Sequence, residues 1–144
     1  MKRWIIGSLL ATFAVEPTLA DQFKSIKDIE VHYSAFNSTF LTDQVAQRYG
    51  IRRNSHSAII NIVLLDNART RKPATTAKIS GISKNLIGHV YKLAFKEIKE
   101  GNSIYYLAEF PITNEENIFF DLDINAGNKG IGKLQFRQIF YIER

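Results

Sequence analysis

The chain has no cysteine, one tryptophan (Trp4) and one methionine (Met1). The first absence rules out disulfide staples, thiolate metal sites and a lipoprotein anchor, which needs a cysteine at the cleavage point. The lack of a second methionine leaves none to complete a copper site in the body of the chain. Long apolar runs are missing as well: the one extended stretch, 4–15, falls short of the roughly 18 residues that a membrane-spanning helix requires. There is no Gly-x-Ser-x-Gly elbow, phosphate loop or dinucleotide fingerprint, no internal repeat and no linker.

The short apolar stretch follows Lys2 and Arg3 and leads to Pro17-Thr18-Leu19-Ala20 ahead of Asp21. A basic start, a short apolar segment and small residues at the −3 and −1 positions describe a secretory signal peptide. Residues 1–20 are therefore expected to be removed by a cut between Ala20 and Asp21. Residues 21–144 remain as one domain with no transmembrane span, large enough to bury roughly two-thirds of its unfolded surface. An exported chain without disulfides must hold itself together by packing, which fits the periplasm and excludes nucleic acid as a partner. Asn37-Ser38-Thr39 forms a sequon that a eukaryotic source could glycosylate.

Beyond the signal the ruling pattern is period-two alternation, the mark of strands with one buried face. Ile29, Val31 and Tyr33 alternate with Glu30, His32 and Ser34, and the run 58–65 is almost continuously apolar, ending in the turn pair Asp66-Asn67. Further strands are predicted over 76–82, 89–98, 104–110, 118–124 and 134–141. Gly101-Asn102 joins the fourth and fifth as a hairpin, and Pro111 ends the fifth because it has no N–H for the ladder. Leu41, Val45 and Tyr49 recur at helical spacing between a Thr42 cap and a Gly50 stop, so a short helix should cover one open end of the fold. The fold expected is all-β: an immunoglobulin-like antiparallel β-sandwich of about seven strands with one short helix after the first. The polar loop 66–74 is its most mobile part.

Charge is unevenly spread. Between Arg48 and Lys99 eleven Lys or Arg stand against only Asp66 and Glu97, whereas Glu100, Glu109, Glu115, Glu116, Asp121 and Asp123 follow Ile98. Lys92 and Lys96 alternate along a strand as solvated side chains do. Arg52, Arg53, Arg69, Arg71 and Lys72 instead fall in loops, where a fold can converge them on an anion.

Metal and catalytic readings fare worse. His32, His56 and His89 are scattered, with no pair one helical turn apart. Asp121-Leu122-Asp123-Ile124-Asn125 begins like a calcium loop, but Gly132 occupies the twelfth position where a glutamate belongs. Those acids are read as the wet face of a strand. Tyr105-Tyr106 and Phe119-Phe120 place aromatic rings on both faces of their strands, so only one of each pair can enter a single core. Asn61, within Ile60-Asn61-Ile62, must either bond to a neighbouring loop or line a pocket, because a buried amide without partners costs about 1–3 kcal/mol. The bond to a loop is the reading adopted.

The segment 30–41, with Val45-Ala46, Tyr49-Gly50-Ile51, Arg53, Asn61-Ile62, Gly81, Asn85-Leu86 and the run 105–110, resembles a family of small exported proteins of Gram-negative bacteria classed as a domain of unknown function. That resemblance implies a periplasmic immunoglobulin-like sandwich and no activity. Its polar and aromatic positions here are His32, Tyr33, Asn37, Arg53 and Asn61, which join Arg52, Arg69, Arg71 and Lys72 as candidate binding residues. The function expected is a non-catalytic binding module for an envelope protein or an anionic envelope polymer, with no cofactor. The alternatives are a hydrolase with a spatially assembled polar site, or a periplasmic metal carrier.

Overall fold

A computed structural model describes residues 22–142. The expected signal peptide and its cleavage site at Ala20-Asp21 lie outside the described residues. Nine strands form two antiparallel sheets: β1 (Phe23–Ile26), β2 (Ile29–Asn37), β3 (Ser57–Asp66), β7 (Ser103–Pro111) and β6 (Lys96–Glu100) make the first, in the order β1-β2-β3-β7-β6. The second has the order β5-β4-β8-β9 and comprises β5 (Val90–Leu93), β4 (Lys78–Asn85), β8 (Glu116–Asn125) and β9 (Ile131–Phe140). The chain is an all-β sandwich, as the alternation requires.

Each sheet contributes one apolar face to a shared core. Ile60, Ile62 and Leu64 of β3 and Phe110 of β7 meet Phe120, Leu122 and Ile124 of β8, all of them fully buried. Phe110 sets its ring edge-on to Phe120 at 5.1 Å and to Phe140 at 5.4 Å, arrangements that aromatic quadrupoles favour. Gly81 of β4 pairs with Leu122, and a Cβ there would lie 2.4 Å from the Asp121 carbonyl oxygen. Only glycine allows that approach. Tyr106 enters from the first sheet, donates to Glu97 Oε2 at 2.6 Å and accepts from the Ala77 amide at 3.1 Å. Burial, reinforced by the Glu97 carboxylate, pushes the Tyr106 hydroxyl up to about 12.

Three expectations need correction. The run 89–98 is two strands, because the chain leaves the second sheet after Leu93 and joins the first at Lys96, with Phe95 packed against the core between them. Alternation persists through such a crossing, so periodicity cannot reveal it. Strand β1 has no alternation to announce it, since Phe-Lys-Ser-Ile is short and largely exposed. The loop 66–74 is tied down: Asp66 N donates to the Pro73 carbonyl at 2.8 Å, Thr75 N to the Leu64 carbonyl at 2.9 Å, and Lys72 Nζ lies 2.7 Å from Glu30 Oε2. The hairpin at Gly101-Asn102 forms as read, with Glu100 opposite Ser103 and Gly101 at φ 60, as a type II′ turn demands of its first loop residue.

Candidate functional site

The helix sits elsewhere than anticipated. Helix α1 (Asp43–Arg48) begins at Thr42, whose side chain accepts from Val45 N at 3.2 Å. It lies over the outer face of the five-stranded sheet and not over an end of the sandwich. Ala46 and Ile51 pack there against Ile59 and Leu107, with Phe36, Leu41, Tyr49, Ile98 and Tyr105 around them. This second, smaller core makes β3 apolar on both faces where α1 covers it and explains the unbroken run of aliphatics in its sequence.

Both ends of α1 are fastened. Arg53 donates to Asp43 Oδ1 at 2.8 Å and to the Thr39 carbonyl at 3.1 Å. At the other end Tyr49 and Arg48 donate to the two carboxylate oxygens of Glu100 at 2.7 and 3.2 Å, and Lys96 Nζ donates to the Tyr49 carbonyl at 2.9 Å. The bond from Tyr49, aided by Arg48, holds the Glu100 carboxyl below its usual range.

Beside α1 the outer face is incompletely filled. A hollow of about 230 Å³ remains between Phe36, Leu41, Tyr49, Ile51, Tyr105 and Leu107, and Asn61 lines it. Asn61 Oδ1 is buried there with no hydrogen-bond partner. Gln22 Oε1, Thr39 Oγ1 and Asn117 Oδ1 share that condition, but none of them lines this hollow. Of the two readings of Asn61, the pocket is the one realised. Tyr105 also borders a second hollow of about 660 Å³, lined by Val63, Leu65, Arg71, Lys72 and Pro73. The two hollows share Tyr105 as a common wall and together mark out a groove, apolar at the helix and basic at the loop.

The basic end rests on a carboxylate. Glu30 points to the outer face yet is buried, held by Lys72 at 2.7 Å and by His32 Nε2 at 3.0 Å, while Phe23 stacks on the His32 ring with centroids 5.0 Å apart. The bond from Lys72, then that from His32, draws the Glu30 carboxyl below its usual range. Arg71 and Lys72 both adopt positive φ, 67° and 42°, a backbone that side chains of this kind rarely take. The Glu30 bond to Lys72 anchors that strained turn over the groove. Glu30 therefore belongs to the site, although the sequence marked it only as an alternating polar residue.

The remaining candidates divide. Tyr33 faces the core and packs its ring 4.5 Å from Phe136. Asn37 is buried and donates to the Tyr141 carbonyl at 2.6 Å, a bond that ties β2 to the segment after β9. Arg52 and Arg53 precede β3, whereas Arg69, Arg71 and Lys72 follow it. Ten residues of strand separate the groups by about 30 Å, so the two basic clusters do not meet. Of the paired aromatics, Phe120 enters the core and Phe119 stays on the outer face of β8 beneath the Arg137 guanidinium at 4.9 Å. Asp121 and Asp123 lie on β8, each 3.2 Å from Lys133, which supports their reading as a wet strand face.

The sequence profile of a domain of unknown function, DUF4426, matches residues 23–143. The chain belongs to the DUF4426 family. A crystallised DUF4426 protein from Pseudomonas aeruginosa PAO1 is 30% identical, with a TM-score of 0.75 over 87% of this chain and 98% of that one. The Pseudomonas protein thus crystallises as this domain alone. A copper-bound variant of FetP from uropathogenic Escherichia coli strain F11 is 11% identical, with a TM-score of 0.59 over 86% of this chain and 97% of that one. The as-isolated FetP of the same strain, expressed in the periplasm of E. coli, is also 11% identical, at a TM-score of 0.57 over 87% and 96%. No curated protein matches the chain significantly. At such identity the FetP likeness concerns the fold alone. Among the described residues of this DUF4426 domain, no three His, Cys, Asp or Glu gather as a metal site.

Proposed function

We propose that this DUF4426 domain is a non-catalytic binding module of the periplasm, whose occupant lies in the groove between α1 and the loop 67–74. The unpartnered Asn61 Oδ1 carries this reading. A buried acceptor without a donor costs about 1–3 kcal/mol and is retained where a bound group supplies the donor. The walls specify the rest: an apolar body against Phe36, Tyr49 and Tyr105, and an anionic group toward Arg71. Such an occupant is a component of the envelope, anionic and amphipathic. The basic start at Lys2-Arg3, the apolar run 4–15 and the small residues Thr18 and Ala20 support export, with a cut before Asp21.

The hydrolase alternative draws on the His32–Glu30 pair. That carboxylate is already engaged by Lys72 through its second oxygen, which suits an anchor better than a proton acceptor. A metal carrier has little support, since His32, His56 and His89 stand in three separate parts of the fold: on β2, before β3 and in the β4–β5 turn.

The dye 1-anilinonaphthalene-8-sulfonate combines an N–H donor, an apolar ring system and an anion, and so tests the groove directly. Saturable one-to-one fluorescence enhancement is expected for the native protein, with affinity weakened about tenfold in Arg71→Glu and in Asn61→Leu. Absence of saturable binding to the folded native protein would overturn the assignment.

A further inference from the structure

The turn between β4 and β5 does not touch the groove, belongs to the other sheet, and is built with unusual care for an exposed tip. Asn85 N donates to the His89 carbonyl at 3.1 Å, His89 N donates to Asn85 Oδ1 at 2.9 Å, and Gly88 N donates to the Asn85 carbonyl at 3.1 Å. Asn85 Nδ2 then donates to Glu116 Oε2 at 3.0 Å, which fixes the tip to β8. Gly88 takes φ 94, a conformation that side chains disfavour. So firm a frame presents two apolar side chains to water: Leu86 is 73% exposed and Ile87 77%. Val90 at 58% and Tyr91 at 44% follow on the edge strand.

Scattered exposed hydrophobics are ordinary, but among the described residues four of the nine large ones fall within these six positions. Behind the tip, a hollow of about 460 Å³ lined in part by Ile87, Tyr91, Pro111 and Ile118 extends the apolar surface toward the body of the domain. Along the chain the flanking charge has one sign. From residue 67 to residue 96 there is no Asp or Glu, while Lys84 and Lys92 bracket the turn. Across the strands, Glu116 is spent on Asn85 and on the Thr113 amide, while Asp121 of β8, diagonal to Lys84, is already bonded to Lys133 and Gln135.

We infer that the β4–β5 turn docks the domain on an anionic lipid bilayer, with Leu86 and Ile87 entering the interface and Lys84 and Lys92 meeting the head groups. Charge complementarity selects this partner: apolar side chains at a projecting tip, a tyrosine behind them and two lysines together on one face of the β4–β5 hairpin match the vertical order of a membrane surface, in which acyl chains lie below ring-binding carbonyls and anionic phosphates. Long lysine stems reach those phosphates while the tip is immersed. Docking is reversible, because two side chains bury little surface.

Sedimentation with vesicles tests this, using the chain from Asp21 onward so that the apolar run 4–15 cannot insert by itself. All nine strands lie within that segment, and the Pseudomonas relative crystallises as the same domain. Binding is expected to vesicles containing phosphatidylglycerol at low salt, and to be weakened by high salt. Leu86→Asp combined with Ile87→Asp should reduce it at least tenfold with an unchanged melting temperature, and Lys84→Glu with Lys92→Glu about tenfold or more. Because this segment has no tryptophan, an Ile87→Trp variant reports immersion by a blue shift of its emission on the same vesicles. No binding to the anionic vesicles, equal binding to phosphatidylcholine vesicles, undiminished binding by the aspartate variant, or an unshifted tryptophan would each overturn the inference. Dye binding in the groove is unaffected by any of these outcomes.

Discussion

Strand β3 has two apolar faces with different fates. Inward, Ala58, Ile60, Ile62 and Leu64 are fully buried in a cluster that is apolar but for the Tyr106 hydroxyl, and that hydroxyl is bonded to Glu97 and the Ala77 amide. Outward, Ile59 is sealed beneath α1, but the next outward residue is Asn61, its oxygen buried without a partner beside an unfilled hollow. The same strand, with the same aliphatic vocabulary, builds a finished interior on one side and an unfinished one on the other. Packing alone rewards the first; the second is a place where stability has been left ungained, which is what a surface reserved for a ligand requires.

The comparison breaks if the two faces respond alike to mutation. Phe120→Ala removes a fully buried ring at the centre of the aromatic cluster and should cost about 3–5 kcal/mol, read as a large fall in Tm or in the denaturation midpoint. Asn61→Leu should act in the opposite direction. Replacing the buried, unpartnered amide oxygen by an apolar side chain of the same branched shape, with the hollow to take its larger volume, ought to raise stability by about 1–3 kcal/mol in the empty protein. A loss of stability in Asn61→Leu would mean that the amide is structurally satisfied, and the two faces of β3 would then be equivalent.

Much of the inner face was legible in the sequence. Alternation places Ile29, Val31, Tyr33, Leu122 and Ile124 correctly because a strand has only two sides, and the turn chemistry of Gly101-Asn102 and Pro111 sets register and ends. The outer face was legible only in fragments. Asn61 and Tyr105 stand out as residues out of place, and Thr42 to Gly50 reads as a helix. No local signal says which surface that helix will cover. The bond between Glu30 and Lys72 joins residues 42 positions apart through a turn with two positive φ values, and such closures depend on tertiary geometry that neither spacing nor composition encodes. The crossing of the chain between sheets after Leu93 is hidden for the same reason, since both sheets ask for the same alternation.

Acid distinguishes the faces in another way. The inner core has few titratable groups, whereas the loop over the groove hangs on carboxylates. Glu30 is lowered by its bond to Lys72 and then by that to His32; Asp66 is pushed up by burial, but Lys129 at 3.2 Å and the Ala68 amide outweigh this and leave it lowered. A carboxyl with a folded pKa below its unfolded value of about 4.3 for Glu or 3.9 for Asp contributes stability at higher pH. That contribution is lost as pH falls through the depressed folded value. The protection of amides in 67–74 against hydrogen exchange, taken relative to the intrinsic rate at each pH, should therefore fall below about pH 4, ahead of protection in β3 and β8. Glu30→Gln should lower the protection of the loop already at neutral pH and flatten the pH dependence of its protection factors. Simultaneous loss of protection in loop and core would show that the two faces open together.

The smallest effect concerns the helix that borders the groove. Thr42→Ala removes the acceptor for Val45 N and should cost about 1 kcal/mol of helix stability. Where that cost is registered is the informative part. Helix α1 contributes Ala46 only to the outer cluster, and Arg53, Glu100 and Lys96 hold its ends from other elements. If the outer face is a separate cooperative unit, the substitution should speed amide exchange in residues 43–50 and weaken dye binding several-fold while Tm hardly moves. If Tm falls by the full amount instead, α1 melts only with the sandwich, and the hollow beside Asn61 is as rigid as the core behind it.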